Sequence, residues 1–422
     1  MLPALRSRHG RLHKEQANLV SKRVEICVVG AGPVGATLAL RLARAGVPVA
    51  VVDAAPLPPM EHPDFDGRAY AIAAGSRRLL VAAGAWDALP IPPCPILDIR
   101  VSDGAIGRPA SPLHLHFSHT DADAPAEDGG AFGWMVEARS LRVALNERLA
   151  AEPTLELFAP ARATVERRED RVRVGVEGAE IECRLVIAAE GRESPLRRAA
   201  GIGVTRIPYR QRGLVCAVAH ERPHRNVALE HFLPGGPFAQ LPLGGTEAAP
   251  NASAIVWTER AGLAERLYAL PPEPFAREIA RRLGDHLGKV SPIGRRWLYP
   301  LAALHAERYV DRRLALVGDA AHAIHPIAGQ GLNLGFRDAI ALADRVLAAL
   351  DRGDDPGSPA LLAAYQRDRR PDNLAMLAAT DALDRLFSTS NPALRLARDI
   401  GIAAVDRAPR LKRFFMRRAM GV

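Results

Sequence analysis

Gly30-Ala31-Gly32-Pro33-Val34-Gly35 fits the pattern G-x-G-x-x-G and decides the fold of this chain. The apolar run 26–29 before it predicts a buried strand, and the periodic residues 34–45 after it predict a helix. Gly46 suits the C-terminal cap of that helix, and residues 49–52 predict a second strand. The glycines permit a tight turn and let a pyrophosphate approach the helix N-terminus, where unpaired N–H groups and the helix dipole favour an anion.

An acidic residue completes this unit. Asp53 ends the second predicted strand, at the distance from the glycines where an acid binds ribose hydroxyls. The glycine pattern alone is a weak signal, but strand, turn, helix and acid together predict a β-α-β unit that binds a dinucleotide. The predicted contacts are Gly30, Gly32, Pro33, Gly35 and Asp53. These residues do not distinguish FAD from NAD.

A second glycine-rich segment indicates a flavin. A predicted strand at 314–317 runs into residues 318–322 (GDAAH), then Pro326, then residues 329–335 (GQGLNLG), which open a predicted helix over 334–350. An aspartate here accepts hydrogen bonds from ribityl hydroxyls, and the glycines let the backbone lie against a flat ring. The helix N-terminus stabilises negative charge on the pyrimidine edge of a reduced flavin. The predicted contacts on this segment are Asp319, Pro326, Gly329, Gln330, Gly331, Leu332 and Asn333.

The pattern G-D-A-A-H…P…G-Q-G-x-N-x-G, together with the first glycine motif, resembles the single-component FAD-dependent aromatic hydroxylases. Residues 66–69 (DGRA), 134–139 (WMVEAR) and 365–373 (YQRDRRPDN) are similar to the ubiquinone-biosynthesis hydroxylases among them, and the resemblance extends from residue 25 to the C-terminus. It implies an α/β protein of the p-hydroxybenzoate hydroxylase type. Such a protein has a Rossmann-like FAD-binding domain, an interleaved β-sheet substrate domain and C-terminal helices.

The resemblance also implies FAD contacts for Arg68 and Arg139, since a guanidinium fork suits pyrophosphate oxygens. The alternative for both is a surface or ion-pair arginine. The family class usually carries Asp-Gly after the predicted strand 185–189, whereas this chain has Glu190-Gly191. The charge is preserved but the reach is longer. A contact with FAD and a purely structural role therefore both stay open for Glu190.

The implied activity is hydroxylation of the aromatic ring of a polyprenylated phenol in ubiquinone biosynthesis. NAD(P)H is the transient electron donor, and O2 supplies the oxygen through a flavin hydroperoxide. The sequence assigns no residue to phenol activation, although His231, Gln240 and Tyr209 are candidates. Three alternatives stay open: an FAD-dependent hydroxylase of a soluble aromatic acid, a non-catalytic FAD-bound scaffold of a quinone-biosynthesis complex, and an FAD-dependent reductase that uses no oxygen.

The same patterns divide the chain into regions. Within them, residues 140–150 predict a helix, residues 165–176 a hairpin, and residues 214–256 the strands of a half-exposed sheet. The predicted regions are an N-terminal extension (1–23), a discontinuous FAD-binding domain (24–95, 130–205 and 300–350), a substrate domain (96–129 and 206–299) and a C-terminal helical region (351–422).

Composition excludes several other classes. The 422 residues are 48% apolar with a net charge of +9, but the arginines are interleaved with acids and form no aromatic-studded stripe, so we expect no nucleic-acid partner. The four cysteines are scattered without a C-x-x-C pair, and no metal site is predicted. No apolar run approaches the roughly 20 residues that span a bilayer. Residues 1–23 lack the pattern of a secretory signal, so we expect a cytoplasmic protein.

The C-terminal stretch from residue 394 mixes apolar residues with arginines and ends in residues 410–418 (RLKRFFMRR). One interpretation is a helix that packs its apolar face on the FAD-binding domain. Another is a peripheral contact with the inner face of the cell membrane, because apolar groups beside clustered cations suit an anionic surface. A docking surface for other quinone-biosynthesis proteins is the third.

Overall fold

The structure, a computed structural model, describes residues 20–57, 67–104, 106–107, 115–121, 130–387, 408, 410, 416 and 420. Its strands are β1 (Val20–Arg23), β2 (Ile26–Val29), β3 (Val49–Val52), β4 (Ala69–Ala73), β5 (Cys94–Ile96), β6 (Asp98–Asp103), β7 (Leu115–Ser118), β8 (Gly133–Glu137), β9 (Leu155–Phe158), β10 (Thr164–Arg167), β11 (Val172–Val176), β12 (Ala179–Cys183), β13 (Leu185–Ala188), β14 (Val204–His220), β15 (Val227–Leu233), β16 (Gly236–Leu243), β17 (Ala252–Arg260), β18 (Val290–Ala306), β19 (Val310–Asp311), β20 (Leu314–Leu316) and β21 (His322–Ala323).

Its α-helices are α1 (Pro33–Ala43), α2 (Ala74–Ala82), α3 (Ala138–Ala151), α4 (Pro195–Ala199), α5 (Ala261–Tyr268), α6 (Pro272–Leu283), α7 (Gln330–Asp351) and α8 (Pro359–Phe387). Short 3₁₀ turns lie at His119–Asp121, Gly318–Ala320 and Ile327–Gly329. No helix within these described ranges has the length and apolar character to cross a bilayer.

The first core is a six-stranded sheet with the order β19-β20-β13-β2-β3-β9. All its pairings are parallel except that of β19 with β20. Strands β2, β3 and β13 are buried at every residue, as their unbroken apolar runs predict for parallel strands covered on both faces. Their side chains share one core with α1, α7 and the smaller sheet β1-β12-β11-β10.

The predicted elements of this core are confirmed with small shifts at their ends. The first helix begins at Pro33, because proline fits the first helical position, where its missing N–H costs nothing. The predicted hairpin at 165–176 forms as β10 and β11. The predicted helix at 334–350 begins four residues earlier, at Gln330, directly after the left-handed Gly329.

The second core is an eight-stranded sheet with the order β21-β18-β14-β17-β16-β15-β6-β7. The prediction that residues 214–256 are half-exposed is wrong, because both faces are covered. On one face Phe238 and Trp257 pack with Phe275 of α6. On the other face Ala228 packs with Met135 of β8. A sheet between two layers buries the side chains on both of its faces. The strands therefore lack the exposed polar residues that alternate with apolar ones in a half-exposed sheet.

A three-stranded sheet, β4-β8-β5, joins the two cores. Strands of the six-stranded sheet come from the predicted FAD-binding ranges, whereas β18 runs without a break across residue 300, where we placed a boundary. The domain boundaries stay a prediction.

Most of the C-terminal tail lies outside the described residues. Met416 and Met420 are described, and both are buried, at only 3% and 2% exposed. They belong to the cluster of Met135 and Ala228, where the FAD-binding side meets the eight-stranded sheet. At these two positions the tail packs on the protein, and its predicted membrane contact is not tested.

Candidate functional site

The glycines of the first motif have different surroundings. Gly30 has a φ of +109°, and a Cβ added there would lie 2.4 Å from the carbonyl oxygen of Ala189. A Cβ on Gly35 would lie 2.0 Å from the carbonyl oxygen of Gly30. A Cβ on Gly32, in contrast, would meet no protein atom within 4 Å. Two glycines are therefore required for packing, and the third leaves open the space that a pyrophosphate needs.

Two charged side chains hold the residue between these glycines. The backbone N–H of Ala31 donates to Oδ2 of Asp53 at 2.6 Å, and its carbonyl accepts from Nη1 of Arg142 at 2.7 Å. Oδ1 of Asp53 also accepts from the N–H of Ala55 at 2.9 Å. The predicted ribose ligand thus also shapes the glycine loop. Sequence reasoning missed Arg142, whose only signal is its place one helical turn after Arg139.

The two glycine-rich motifs meet although about 300 residues separate them. A Cβ on Gly335 would lie 2.7 Å from Cγ2 of Val34 and 3.2 Å from the Cα of Gly318. These glycines let the first turns of α1 and α7 pack closely. Neither helix has a side-chain cap or an acidic residue in its first turn, so both starts leave backbone N–H groups for an anionic ligand.

Asn333 connects the start of α7 to β4. Its side chain is 1% exposed, and its Oδ1 accepts from the N–H of Ala73 at 2.9 Å. Its Nδ2 donates to the carbonyls of Ala71 at 2.8 Å and Gly329 at 3.2 Å. Both amide hydrogens are used within the protein, so Asn333 shapes the loop. A contact with the cofactor stays a prediction.

The remaining positions of the second motif differ in exposure. A Cβ on Gly331 would meet nothing within 4 Å, whereas Gln330 is 9% exposed. The carbonyl of Pro326 accepts from the N–H of Gly329 at 3.1 Å and closes the short turn that precedes α7. Leu332 is half-buried against the first core. The space beside Gly331 is open, and the contact of this loop with a flat ring stays a prediction.

Asp319 lies at the carboxyl end of β20 and is paired. Its Oδ2 accepts from Nε of Arg192 at 2.9 Å, and both side chains are nearly half exposed. Arg197 stabilises the same corner from below, because its buried guanidinium donates to the carbonyls of Ala320 at 2.8 Å and Arg192 at 2.7 Å. A carboxylate accepts several hydrogen bonds at once, so this ion pair leaves Asp319 able to bind ribityl hydroxyls.

Glu190 has structural partners. Its Oε2 accepts from Oγ of Ser194 at 2.5 Å and from the N–H of Leu196 at 3.1 Å, at the start of α4. Burial raises the pKa of Glu190, and these hydrogen bonds oppose that rise only in part. Such contacts are those of a residue that caps a helix, and they support the structural alternative. A contact with FAD stays a prediction.

The two predicted FAD-contacting arginines also have protein neighbours. The guanidinium of Arg68 lies 4.3 Å from the ring centroid of Trp297, and Nε of Arg139 donates to Oε2 of Glu137 at 2.9 Å. The ion-pair alternative for Arg139 therefore has a named partner. The FAD contacts of both arginines stay predictions.

A buried ionic cluster lies beneath the second motif. Asp338 is fully buried and accepts from His322 at 2.5 Å, Arg369 at 2.9 Å, Asn373 at 3.0 Å and the N–H of Gly318 at 3.1 Å. Burial acts to raise the pKa of Asp338, but His322 and Arg369 outweigh it, so the pKa lies below its ordinary value. The cluster anchors the motif to α8. Within the described residues no group of His, Cys, Asp and Glu forms a metal site.

The second motif faces the eight-stranded sheet across an apolar contact. Ile327 packs with Leu115, Phe232 and Phe387, and the last two rings are stacked with centroids 3.8 Å apart. A flavin bound at the predicted contacts of the second motif would meet the same face of the sheet. We call it the flavin-facing surface, defined by Val101, Leu115, Ala228, Glu230 and Phe232.

Two of the three candidates for phenol activation lie on the other face. His231 pairs in register with Phe238, which packs on α6, and its Nδ1 is 2.8 Å from Oγ of Ser102. Gln240 is on that face too and donates to Ser253 at 2.9 Å. Strand alternation, which the sequence alone could not orient, turns both away from the predicted flavin.

The third candidate, Tyr209, lies beside the second motif. Its ring is 5.0 Å from that of His325, and its hydroxyl donates to Oδ1 of Asp381 at 3.0 Å. Burial and Asp381 raise the pKa of this hydroxyl above its ordinary value. A cavity of about 610 Å³ borders it, lined among others by Gln211, Gly235 and Asp384. Tyr209 is thus held as a hydrogen-bond donor and is not a base.

These features are those of an FAD-dependent monooxygenase of the p-hydroxybenzoate hydroxylase type. They are the adjacent starts of α1 and α7, the open space at Gly32 and Gly331, and the eight-stranded sheet that faces the second motif. The chain belongs to the FAD binding domain family, whose model matches residues 23–380, and within it to the ubiquinone-biosynthesis hydroxylases. The predicted family, fold class and FAD cofactor are thereby confirmed.

Individual relatives match over nearly their whole length. The chain is 50% identical over 402 residues to ubiquinone hydroxylase UbiL of Rhodospirillum rubrum, which covers 95% of this chain and 90% of that protein. It is 35% identical over 408 residues to the 3-demethoxyubiquinol 3-hydroxylase of Escherichia coli, with 96% and 100% covered. The crystal structure of pqsL, a probable FAD-dependent monooxygenase from Pseudomonas aeruginosa, superposes with a TM-score of 0.73 at 26% identity, with 90% and 100% covered.

Proposed function

We propose that this protein hydroxylates the aromatic ring of a polyprenylated phenol in ubiquinone biosynthesis. FAD is the resident cofactor, NAD(P)H the electron donor and O2 the oxygen source. The observation that carries the proposal is the apolar contact between Ile327 of the second motif and Phe232 of the sheet. The names of the relatives in R. rubrum and E. coli support the substrate class.

The residues present fit FAD. The open space at Gly32 suits the pyrophosphate, and the open space at Gly331 suits the ring system. Asp53 would hold the adenosine ribose and Asp319 the ribityl chain. When bound, FAD would transfer the electrons of NAD(P)H to O2, one atom of which enters the ring.

The chain's own residues position the reactants and exclude water. Asn333 and the Asp338 cluster hold the second motif in one conformation, so a ring bound there keeps a constant distance from the substrate. Leu115, Phe232 and Phe387 cover the space in front of it with apolar groups. A dry space protects the activated oxygen from water and directs it to the substrate.

A second candidate function, hydroxylation of a soluble aromatic acid, needs a cation that binds the carboxylate. Strands β15 and β16 contain no lysine or arginine, and the flavin-facing side of β15 presents Ala228, Glu230 and Phe232. An anionic substrate beside Glu230 is unfavourable, whereas a neutral prenylated phenol is compatible with these apolar neighbours. This observation favours the polyprenylated phenol.

A labelled-oxygen assay tests the proposal. Purified holoenzyme is supplied with NADH or NADPH, ¹⁸O2 and either a short-chain prenylated phenol or 4-hydroxybenzoate. We expect faster NAD(P)H oxidation with the prenylated phenol and one ¹⁸O atom in its ring. Label in the hydroxybenzoate product alone would support the soluble-acid alternative. Reduction without label would support a reductase, and absence of turnover a scaffold.

A deletion strain provides the test in the cell. We expect loss of ubiquinone and accumulation of a prenylated phenol that lacks one ring hydroxyl, with recovery when the gene is restored. Normal ubiquinone in a strain without a second homologue would contradict the proposal.

We also propose that the enzyme meets this apolar substrate at the membrane surface through its C-terminal tail. The cations Lys412, Arg413, Arg417 and Arg418 support this contact by their number and spacing. Flotation with anionic liposomes compares the full chain with a variant in which these four residues are glutamine. Equal flotation of both proteins would contradict it.

A further inference from the structure

Glu230 is an acidic residue on the flavin-facing surface of the eight-stranded sheet. Side chains alternate along β15, so Glu230 points to the same side as Ala228 and Phe232. Ala228 packs against the FAD-binding side near Met135, and Phe232 packs against Ile327 of the second motif. The carboxylate of Glu230 therefore lies between two points where the sheet touches the FAD-binding side.

The residues that neighbour Glu230 across the sheet are apolar. Its register partners are Val101 of β6 and Ala239 of β16, and Val101 packs in the cluster of Phe232 and Ile327. Within the described part of the chain, no hydrogen bond or ion pair engages the Glu230 carboxylate. Two buried carboxylates, in contrast, are paired: Asp338 has four donors, and Glu259 accepts from the N–H of Arg260. An unpaired acid in such a position is costly unless a ligand satisfies it.

The surroundings of Glu230 change its acidity. Burial raises the pKa of Glu230 to about 7. The elements packed near Glu230 carry several ionisable groups, among them Asp103 on β6, His325 beside the second motif and Asp384 on α8. None of them contributes to the shift, which burial alone causes. The side chain is only half-buried.

We propose that Glu230 is the catalytic base that takes the proton of the substrate's phenol hydroxyl during ring hydroxylation. This inference rests on the proposed function. The phenol O–H bond breaks, and the proton forms an O–H bond with the Glu230 carboxylate. The electron pair left on the phenol oxygen increases electron density at the ring, and a ring carbon forms a C–O bond with one oxygen atom derived from O2. The O–O bond breaks in the same step. NAD(P)H supplies the two electrons that balance the reaction, and the second oxygen atom leaves as water. The ring carbon then loses its proton to water, and Glu230 returns its proton to the phenol oxygen.

The chemistry of the site agrees with this assignment. A base works best when its pKa is close to the working pH, and a carboxylate in an apolar site meets that condition. Neither His231 nor Gln240 can take this role, because both lie on the opposite face of the sheet. Tyr209 is held as a donor by Asp381.

The test compares the holoenzyme with Glu230→Gln, which keeps the shape but cannot accept a proton. His231→Gln is the control, since it changes the next residue on the opposite face. We expect Glu230→Gln to lower kcat for oxygen insertion about 100-fold or more at pH 7, as for loss of a general base. FAD content and the Kd of the phenol should stay within about threefold, and the control should keep the wild-type rate.

The pH profile separates a base from a structural residue. In the wild type, kcat should rise through an inflection near pH 7, and this inflection should be absent in Glu230→Gln. The variant should recover at high pH, where the phenol ionises without help, and with a nitro-substituted prenylated phenol, which ionises near pH 7. An equal loss at every pH and with both phenols would overturn the proposal, as would an unchanged rate.

A binding measurement needs no turnover. The absorbance of a bound prenylated nitrophenol reports its ionisation in the oxidised holoenzyme. In the wild type we expect two coupled titration steps, because the phenol and Glu230 share a proton, and in Glu230→Gln a single step. A single step in both proteins would contradict the inference. A wild type that hydroxylates no phenol would instead refute the proposed function, so the two failures are distinguishable.

Discussion

Oδ2 of Asp53 lies 2.6 Å from the backbone nitrogen of Ala31, across 22 residues of sequence. The acid that the sequence predicts as a ribose ligand thus also holds the middle of the glycine loop. Together with Arg142 on the opposite side of Ala31, it prepares the loop before any ligand arrives. A loop that is already ordered binds its ligand with a smaller loss of entropy.

Replacement of Asp53 therefore weakens FAD binding in two ways. A hydrogen bond to a charged group contributes roughly 1.5–3 kcal/mol, so Asp53→Ala should raise the Kd of FAD about 10- to 100-fold. Asp53→Asn should have a smaller effect. Quenching of flavin fluorescence measures the Kd, and Asp170→Ala, which removes an exposed acid far from the loop, is the control. An unchanged Kd would refute the role of Asp53.

Two glycines of the same motif should respond differently to the same substitution. Gly35→Ala places a Cβ 2.0 Å from a backbone oxygen, so we expect a large loss of stability even without FAD. Gly32→Ala meets no protein atom, and its φ of −63° suits alanine. The apoprotein should keep its Tm within about 2 °C, while the Kd of FAD rises at least about tenfold. Equal effects on both Tm values would show that the space at Gly32 has no special role.

Asn333→Ala should loosen the second motif. It leaves the N–H of Ala73 and the carbonyl of Ala71 without their partner in a buried place, which costs about 1–3 kcal/mol for each such group. Urea unfolding of the apoprotein measures the loss. Asn251→Ala removes a hydrogen bond near the surface and should cost less than about 0.5 kcal/mol. The prediction fails if the two variants unfold alike.

His305 should make the protein less stable in mild acid. Burial, with smaller effects of Arg370 and His322, lowers the pKa of His305 to about 4. An unfolded histidine has a pKa of about 6.5, so below that pH the unfolded chain binds a proton that the folded protein does not. The free energy of unfolding is therefore highest above pH 6.5 and decreases as the pH falls towards 4. The free energy of unfolding lost between pH 6.5 and pH 4 is at most about 3.4 kcal/mol.

Urea unfolding between pH 7 and pH 4 measures this effect in the wild type and in His305→Gln. Other buried histidines, such as His220, also have a lowered pKa and contribute to the slope. The difference in slope between the two proteins belongs to His305. If the free energy of unfolding depends on pH in the same way in both proteins, the assignment of the effect to His305 is refuted.

Local sequence determined the elements that form the FAD site. The run 26–29, the motif 30–35 and Asp53 specify strand, turn, helix and acid within a few residues, because turn geometry and helix starts depend on neighbours in the chain. The second motif could also be recognised from the sequence, because its glycines and its aspartate lie within 18 residues of each other. The family resemblance followed from these short patterns.

Only the tertiary structure decided how those elements use their polar groups. Asn333 bonds to Ala71 and Ala73, about 260 residues away, and Tyr209 bonds to Asp381, 172 residues away. The sequence shows that β15 alternates but not which side meets the flavin, so it could not separate Glu230 from His231. That choice depends on which layers pack on each face of the sheet. Contacts between residues distant in sequence decide which face of β15 is turned towards the FAD-binding side. The local alternation of side chains along the strand is the same whichever face is chosen.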